Sequence, residues 1–253
     1  MIKKAIVLAA GKGTRLLPLT LAIPKEMIRV GVKPVIEHVV EVLKAGGIKE
    51  ILIIVGRNKE AIMNYLGSGE RLGVEIYYRI QEEPKGSAHA TYHGKDFIGS
   101  EDFVLIYGDN YIKPYEIMKD IIEKHKKNGA NATIVLQKIK NPKRYGLAKI
   151  DSRGNVKDVI EKPTFTEAKS FKIGDSYFAI AGLLVLNSSV FKYIEKTKLG
   201  KNNEIWLTDS VKSMIKEEGR IQGFVFHGTR YDIGTFQSLK EADKDEQKEK
   251  ISG

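Results

Sequence analysis

No cysteine occurs in the 253 residues. Its absence removes disulfides, thiol catalysis and cysteine-based zinc sites together. No apolar run is long enough to span a bilayer. Lys3-Lys4 ahead of a short apolar stretch imitates the start of a signal peptide, but Gly11-Lys12-Gly13 follows where a cleavage site would stand. The expectation is a cytoplasmic protein with no membrane partner. Internal repeats, low-complexity stretches and linkers are missing too. The one strong bias is charge: 42 Lys and Arg against 32 Asp and Glu, a net of +10. Such a balance suits nucleic acid or an enzyme for anionic substrates. The lysines alternate with acids, as in Lys240-Glu241-Ala242-Asp243-Lys244-Asp245, and no basic stripe carries interleaved aromatics. Nucleic acid is therefore the weaker reading.

What is present is an alternation of strand-like and helix-like segments through the first half. Apolar runs at 5–8, 51–55 and 103–106 read as buried strands, with a shorter one at 75–78. Helical spacing marks 34–45, 59–66 and 87–97, with Gly46-Gly47 and Gly67 ending the first two and Ser87 as N-cap of the third. Beyond a helix over 115–127, strands crowd at 132–137, 148–150, 156–161 and 177–186. Helices over 190–196 and 209–218, a strand at 221–226 and a charged helix from 236 close the chain. This is an α/β fold, a Rossmann-like mixed but mainly parallel sheet flanked by helices.

The most informative segment is the turn after the first strand, Ala9-Ala10-Gly11-Lys12-Gly13, followed at once by Thr14 and Arg15 and ten residues later by Lys25. Glycines there let backbone N–H groups approach a phosphate, and arginine is a bidentate phosphate ligand. Two better-known loops fail. A dinucleotide fingerprint beginning at Gly11 needs glycine where Leu16 stands. A Walker loop ending in Gly11-Lys12 needs glycine at Ile6 and Ser or Thr at Gly13.

The run Leu8-Ala9-Ala10-Gly11, then Gly13-Thr14-Arg15-Leu16, then Pro24-Lys25-Glu26-Met27 resembles the signature of the sugar-1-phosphate nucleotidylyltransferases. Within them the chain is most similar to the UTP–glucose-1-phosphate uridylyltransferases, with the glucose-1-phosphate thymidylyltransferases next. The resemblance covers about residues 3–243. It implies one domain of the nucleotide-diphospho-sugar transferase type over 1–253, with a nucleotide-binding half to about 110 and a sugar-binding half over about 111–243. Implied with it are UTP (or dTTP) and glucose 1-phosphate as substrates, Mg²⁺ as cofactor, and a homo-oligomer. The β-helix that follows in longer members, with its acyltransferase activity, is not expected in a chain that stops here.

The residue roles follow from that resemblance together with the chemistry of the side chains. Ala9, Ala10, Gly11, Gly13 and Thr14 would cradle phosphates. Arg15 would hold the β and γ phosphates, and Lys25 would bridge the α-phosphate and the sugar phosphate. Lys162, by itself an exposed lysine at a strand end, matches the sugar-phosphate lysine. Asp109 follows a buried strand, where open α/β sheets place ligands, and with Asp232 matches the metal pair. An Asp beside Gly or Asn is otherwise a turn residue. Gln81 offers the donor and acceptor that suit a pyrimidine edge, completed by the Gly86 backbone; Gln81 could equally be a solvated strand-end residue. Tyr145, Gly146, Glu161 and Glu204 would meet the sugar. His89 and His93 lie four apart on one helix without a third zinc ligand. Arg29 stands where the family usually has proline, and the connection 163–176 is longer than in compact members. A nucleic-acid-binding α/β protein and a catalytically silent nucleotide-sugar binder remain as competing readings.

Overall fold

The computed structural model describes residues 2–56 and 59–252. Among them the strands are, in chain order, β1 Lys4–Ala9, β2 Arg29–Val30, β3 Lys33–Pro34, β4 Glu50–Val55, β5 Glu75–Ile80, β6 Phe103–Tyr107, β7 Asn110–Lys113, β8 Ala132–Ile139, β9 Leu147–Ile150, β10 Val156–Ile160, β11 Tyr177–Leu186, β12 Ile221–Val225 and β13 Thr229–Asp232. One sheet runs β10-β9-β11-β6-β1-β4-β5, with β8 along the other edge of β11 and β12 beside β8. Strands β6, β1, β4 and β5 are parallel, and β11 runs against β6. The mixed, mainly parallel sheet expected from the alternation is thus present.

Both faces of the parallel part are covered, which is why its strands read as unbroken apolar runs. Side chains alternate across the sheet. Ala5, Val7, Ile51, Ile53, Val104 and Ile106 enter one core with the helices Val35–Ala45 and Ile117–Asn128. Ile6, Leu52, Ile54, Phe103 and Leu105 enter the other with the helices Val190–Lys196 and Leu207–Glu217. The helix expected over 87–97 is instead two pieces, Ser87–Tyr92 and Lys95–Ile98. Gly94 between them lies so close to Ile6 that a Cβ would collide with its side chain. Ser87 does not cap; its Oγ accepts the Leu207 amide proton, 3.0 Å away.

Two features position the cleft. Strand β1 lies between β4 and β6, so the chain leaves its carboxyl end for one side and later the other, opening a crevice there. Strand β11 breaks at Gly182 (φ +64°), where its register with β8 shifts. The Asn110 side-chain amide donates to the Ala181 and Gly182 carbonyls, both at 2.9 Å, and holds the break. Outside the main sheet, β7 and β13 pair as a small ribbon. Asp232 therefore ends a strand. Each ribbon strand is four residues long and its partner is more than a hundred residues away, so no local pattern announces it. Among the described residues no helix is long and apolar enough to cross a membrane.

Beneath the turn after β1, the Lys59 ammonium donates to the carbonyls of Ala9 (2.7 Å) and Gly11 (3.1 Å) and to Glu26 Oε2 (2.8 Å). Glu26 is fully buried. Removing one partner of a buried ion pair costs about 3–5 kcal/mol, because the other charge is left uncompensated. Lys59→Met is expected to lower stability on that scale in urea unfolding. The double variant Lys59→Met, Glu26→Gln should recover part of the loss.

Candidate active site

A cleft of about 500 Å³ opens at the carboxyl ends of β1 and β6. Its floor is the turn after β1. Gly13 is left-handed there (φ +66°), and a Cβ would come within 2.9 Å of Thr20, whose hydroxyl donates to the Gly13 carbonyl. Thr14–Leu16 forms one 3₁₀ turn that buries Leu16 and leaves Arg15 half exposed over the cleft. Lys25 begins a second 3₁₀ turn, Lys25–Met27, and its ammonium is ion-paired with Asp109.

The electrostatics follow from burial opposed by neighbours. Burial alone would lower the pKa of Lys25, but Asp109, Glu26 and Asp232 outweigh it and raise the pKa above that of an ordinary lysine. Lys25 is therefore a permanent cation. Burial would also raise the Asp109 pKa, but Lys25 and Arg230 hold it below the ordinary value. Asp232 is raised, first by burial and then by repulsion from Asp109, against the pull of Arg230, Lys25 and Arg15. Two carboxylates close enough to repel, edged by three cations, form a site that a further cation or a cation-bound polyphosphate would complete.

The middle of the cleft is a clasp between two distant segments. Gly86 adopts φ +103° against the backbone of Ile205. The Ile205 amide donates to the Lys85 carbonyl at 2.8 Å, and the Ala88 amide donates to the Ile205 carbonyl at 3.0 Å. Gln81, buried at the end of β5, donates from Nε2 toward His89 Nδ1 (2.7 Å) and the Gly86 carbonyl (3.5 Å). At the far end, buried Glu161 accepts from the Thr208 hydroxyl at 2.6 Å, and burial raises its pKa. Gly146 leaves room for that carboxylate; a Cβ would stand 3.0 Å from its Oε2. Lys162, with a positive φ of 37°, carries its ammonium 3.8 Å above the Trp206 ring centroid.

Of the residues given a phosphate, base, sugar or metal role from the sequence, all line this cleft except Ala9, which is fully buried with its carbonyl given to Lys59. His89 and His93 stand edge to face, ring centroids 4.9 Å apart, and no group of three or more potential metal ligands gathers among the described residues. Three contributors were missed. Arg230 donates to the Asn110 side chain at 2.8 and 3.1 Å and biases both aspartates. It stands two residues before Asp232, so strand alternation puts both on one face. Trp206 and Thr208, beneath Lys162 and Glu161, are the others.

The profile of the nucleotidyl transferase family matches residues 4–249. The chain belongs to that family. A nucleotidyl transferase of Haloferax volcanii named for low-salt glycan biosynthesis, Agl11, is 37% identical over 95% of this chain, which spans 65% of that protein's length. The UTP–glucose-1-phosphate uridylyltransferase of Staphylococcus epidermidis is 34% identical over 92% of this chain and 88% of its own. A UDP-glucose pyrophosphorylase solved with UDP-glucose superposes with a TM-score of 0.87 at 31% identity, covering 98% of this chain and 100% of that one. The chain is thus a nucleotidyltransferase enzyme.

Gly86 tests the clasp. A side chain there would collide with the Ile205 backbone and strain a positive φ. Gly86→Ala is expected to speed hydrogen exchange at the Ala88 and Ile205 amides and to lower stability by about 1–3 kcal/mol. Unchanged exchange at those amides in the folded variant would refute the clasp.

Proposed function

We propose that the protein transfers a uridylyl group from UTP to glucose 1-phosphate, forming UDP-glucose and pyrophosphate. The observation that carries this reading is that a glycine turn, two cations and two carboxylates share one cleft with the buried Glu161 and the partly exposed Lys162. The uridylyltransferase and the UDP-glucose pyrophosphorylase among its relatives support the choice of base and sugar. In this reading the part of the chain to about residue 110 is a nucleotide-binding half, and about 111–243 a sugar-binding half of the same domain.

The sugar phosphate is already an anion near neutral pH, so its oxygen can attack the α-phosphorus without a general base. The work of the protein is then positioning and charge neutralisation. The amides between Ala10 and Thr14 and the Arg15 guanidinium hold the β and γ phosphates and the departing pyrophosphate. Lys25 bridges the α-phosphate and the sugar phosphate, and Lys162 holds the latter from the other side. The Gln81 side chain and the Gly86 backbone meet the base. Tyr145, Gly146, Glu161 and Glu204 meet the sugar.

Asp109 and Asp232 fit a Mg²⁺ ion. Asp232 Oδ1 is buried with no hydrogen-bond partner among the described residues. Mg²⁺ commonly takes one or two carboxylates and fills its shell with phosphate oxygens and water. When bound, it neutralises charge on the triphosphate. Asp109→Asn is expected to cut turnover at least about a hundredfold at ordinary Mg²⁺, with partial recovery in excess Mg²⁺ or in Mn²⁺. Full turnover in EDTA would exclude the metal.

Thymine presents the same edge to Gln81 and Gly86 as uracil does. The two differ by a methyl, which discriminates by about 1–3 kcal/mol. Initial rates of pyrophosphate release across a matrix of triphosphates and sugar 1-phosphates test the assignment. The expected order is UTP first, measurable dTTP, and much weaker ATP and GTP. A clear preference for dTTP would make the enzyme a thymidylyltransferase. Preference for a purine would discard the base site.

A further inference from the structure

The Gln81 amide is symmetric in shape but not in chemistry: one end donates twice and the other only accepts. Whichever end faces the base decides whether the site reads a donor or an acceptor. The edge that uracil presents has N3–H, a donor, between two carbonyls. Cytosine has a bare N3, an acceptor, and an amino group in place of one carbonyl. A glutamine free to rotate would serve both.

Here the amide is not free. Its nitrogen lies 2.7 Å from His89 Nδ1 and 3.5 Å from the Gly86 carbonyl. The Gly86 carbonyl can only accept, so the atom facing it is the amide nitrogen. With that nitrogen donating to both, the group left to offer is the carbonyl oxygen. Gln81 is 3% exposed and lines the cleft, whereas His89 does not line it and lies behind. We propose that His89 is a positioning residue for base specificity: its Nδ1, accepting from Gln81, holds the amide with the carbonyl oxygen toward the base, so that the site takes a pyrimidine bearing N3–H and rejects cytosine. The proposal rests on Gln81 reading the base.

The surroundings keep His89 in the form this requires. Only the neutral ring has an acceptor nitrogen. Burial, His93 and Lys85 all lower the His89 pKa, with Glu83 acting weakly in the other sense. His93 packs edge-on against the ring and limits its rotation. Turning the amide around would set its carbonyl oxygen against the Gly86 carbonyl, which can only accept, and would require the other tautomer of His89. Leaving buried polar groups mispaired is the means by which a site rejects a near-isostere far better than a missing methyl can.

The test is the ratio of kcat/KM for UTP to that for CTP, at fixed glucose 1-phosphate, in three variants. His89→Leu removes the acceptor and roughly keeps the volume. It is expected to lower the ratio at least about tenfold, chiefly through KM, with kcat for UTP little changed. His89→Asn can return an acceptor oxygen near the position of Nδ1 and is expected to keep most of the ratio. Gln81→Ala separates the two levels of the argument. If it collapses the ratio while folded His89→Leu and His89→Asn both keep it, Gln81 reads the base without His89 and the proposal fails alone. If Gln81→Ala keeps the ratio, the base-site reading fails and takes the proposal with it. A His89→Asn variant as unselective as His89→Leu would also overturn the role of the acceptor.

Discussion

The Lys59 ammonium, engaged with the Ala9 and Gly11 carbonyls and the Glu26 carboxylate, sets the course of the turn after β1 and with it the rest of the cleft. The contact is buried, so each of its hydrogen bonds is strong and each group would be costly to leave alone. Glu26 belongs to the same 3₁₀ turn as Lys25. The ion pair therefore ties the phosphate turn to the lysine that works above it. At Gly11 a Cβ would press against the Lys25 side chain at 3.3 Å.

Charge in the cleft is answered unevenly by the protein. Asp109 is answered by Lys25 and Arg230; Asp232 feels Arg230, Lys25 and Arg15, the last 3.8 Å away, and keeps one buried oxygen without a hydrogen-bond partner among the described residues. Arg15, half exposed and no closer than 3.8 Å to the Asp232 carboxylate, is placed to take an anion. The net positive charge of the whole chain acts in the same sense, drawing anions toward the crevice at long range.

The two ends of the cleft come from opposite parts of the chain, and the fold registers them by backbone contacts. The segments around Gly86 and Ile205 exchange two main-chain hydrogen bonds, and Asn110 pins the break in β11 at Gly182. Main-chain contacts of this kind tolerate little side-chain change. The glycines at these positions are therefore structural requirements: Gly86 and Gly182 both have positive φ and both would clash as alanine.

Much of this was legible in the linear chain, because much of it is local. Buried parallel strands must be continuous apolar runs, and covering helices must repeat every three to four residues. The fold class and most elements follow from that. The phosphate turn was legible because its glycines, Arg15 and Lys25 lie within fifteen residues of one another. What stayed hidden depends on partners far away. The β7–β13 ribbon, the split of 87–97 at a glycine pressed on Ile6, the loss of Ala9 to Lys59 and the place of Arg230 beside the two aspartates are all decided by tertiary contacts. The sequence by itself determined which chemical groups the protein owns and which side chains must be buried, since both are properties of residues and their spacing. Only the tertiary structure decided which oxygen is left unpaired, which lysine is buried beneath the loop and which end of an amide is spoken for, because these depend on burial and on neighbours that the linear order does not contain.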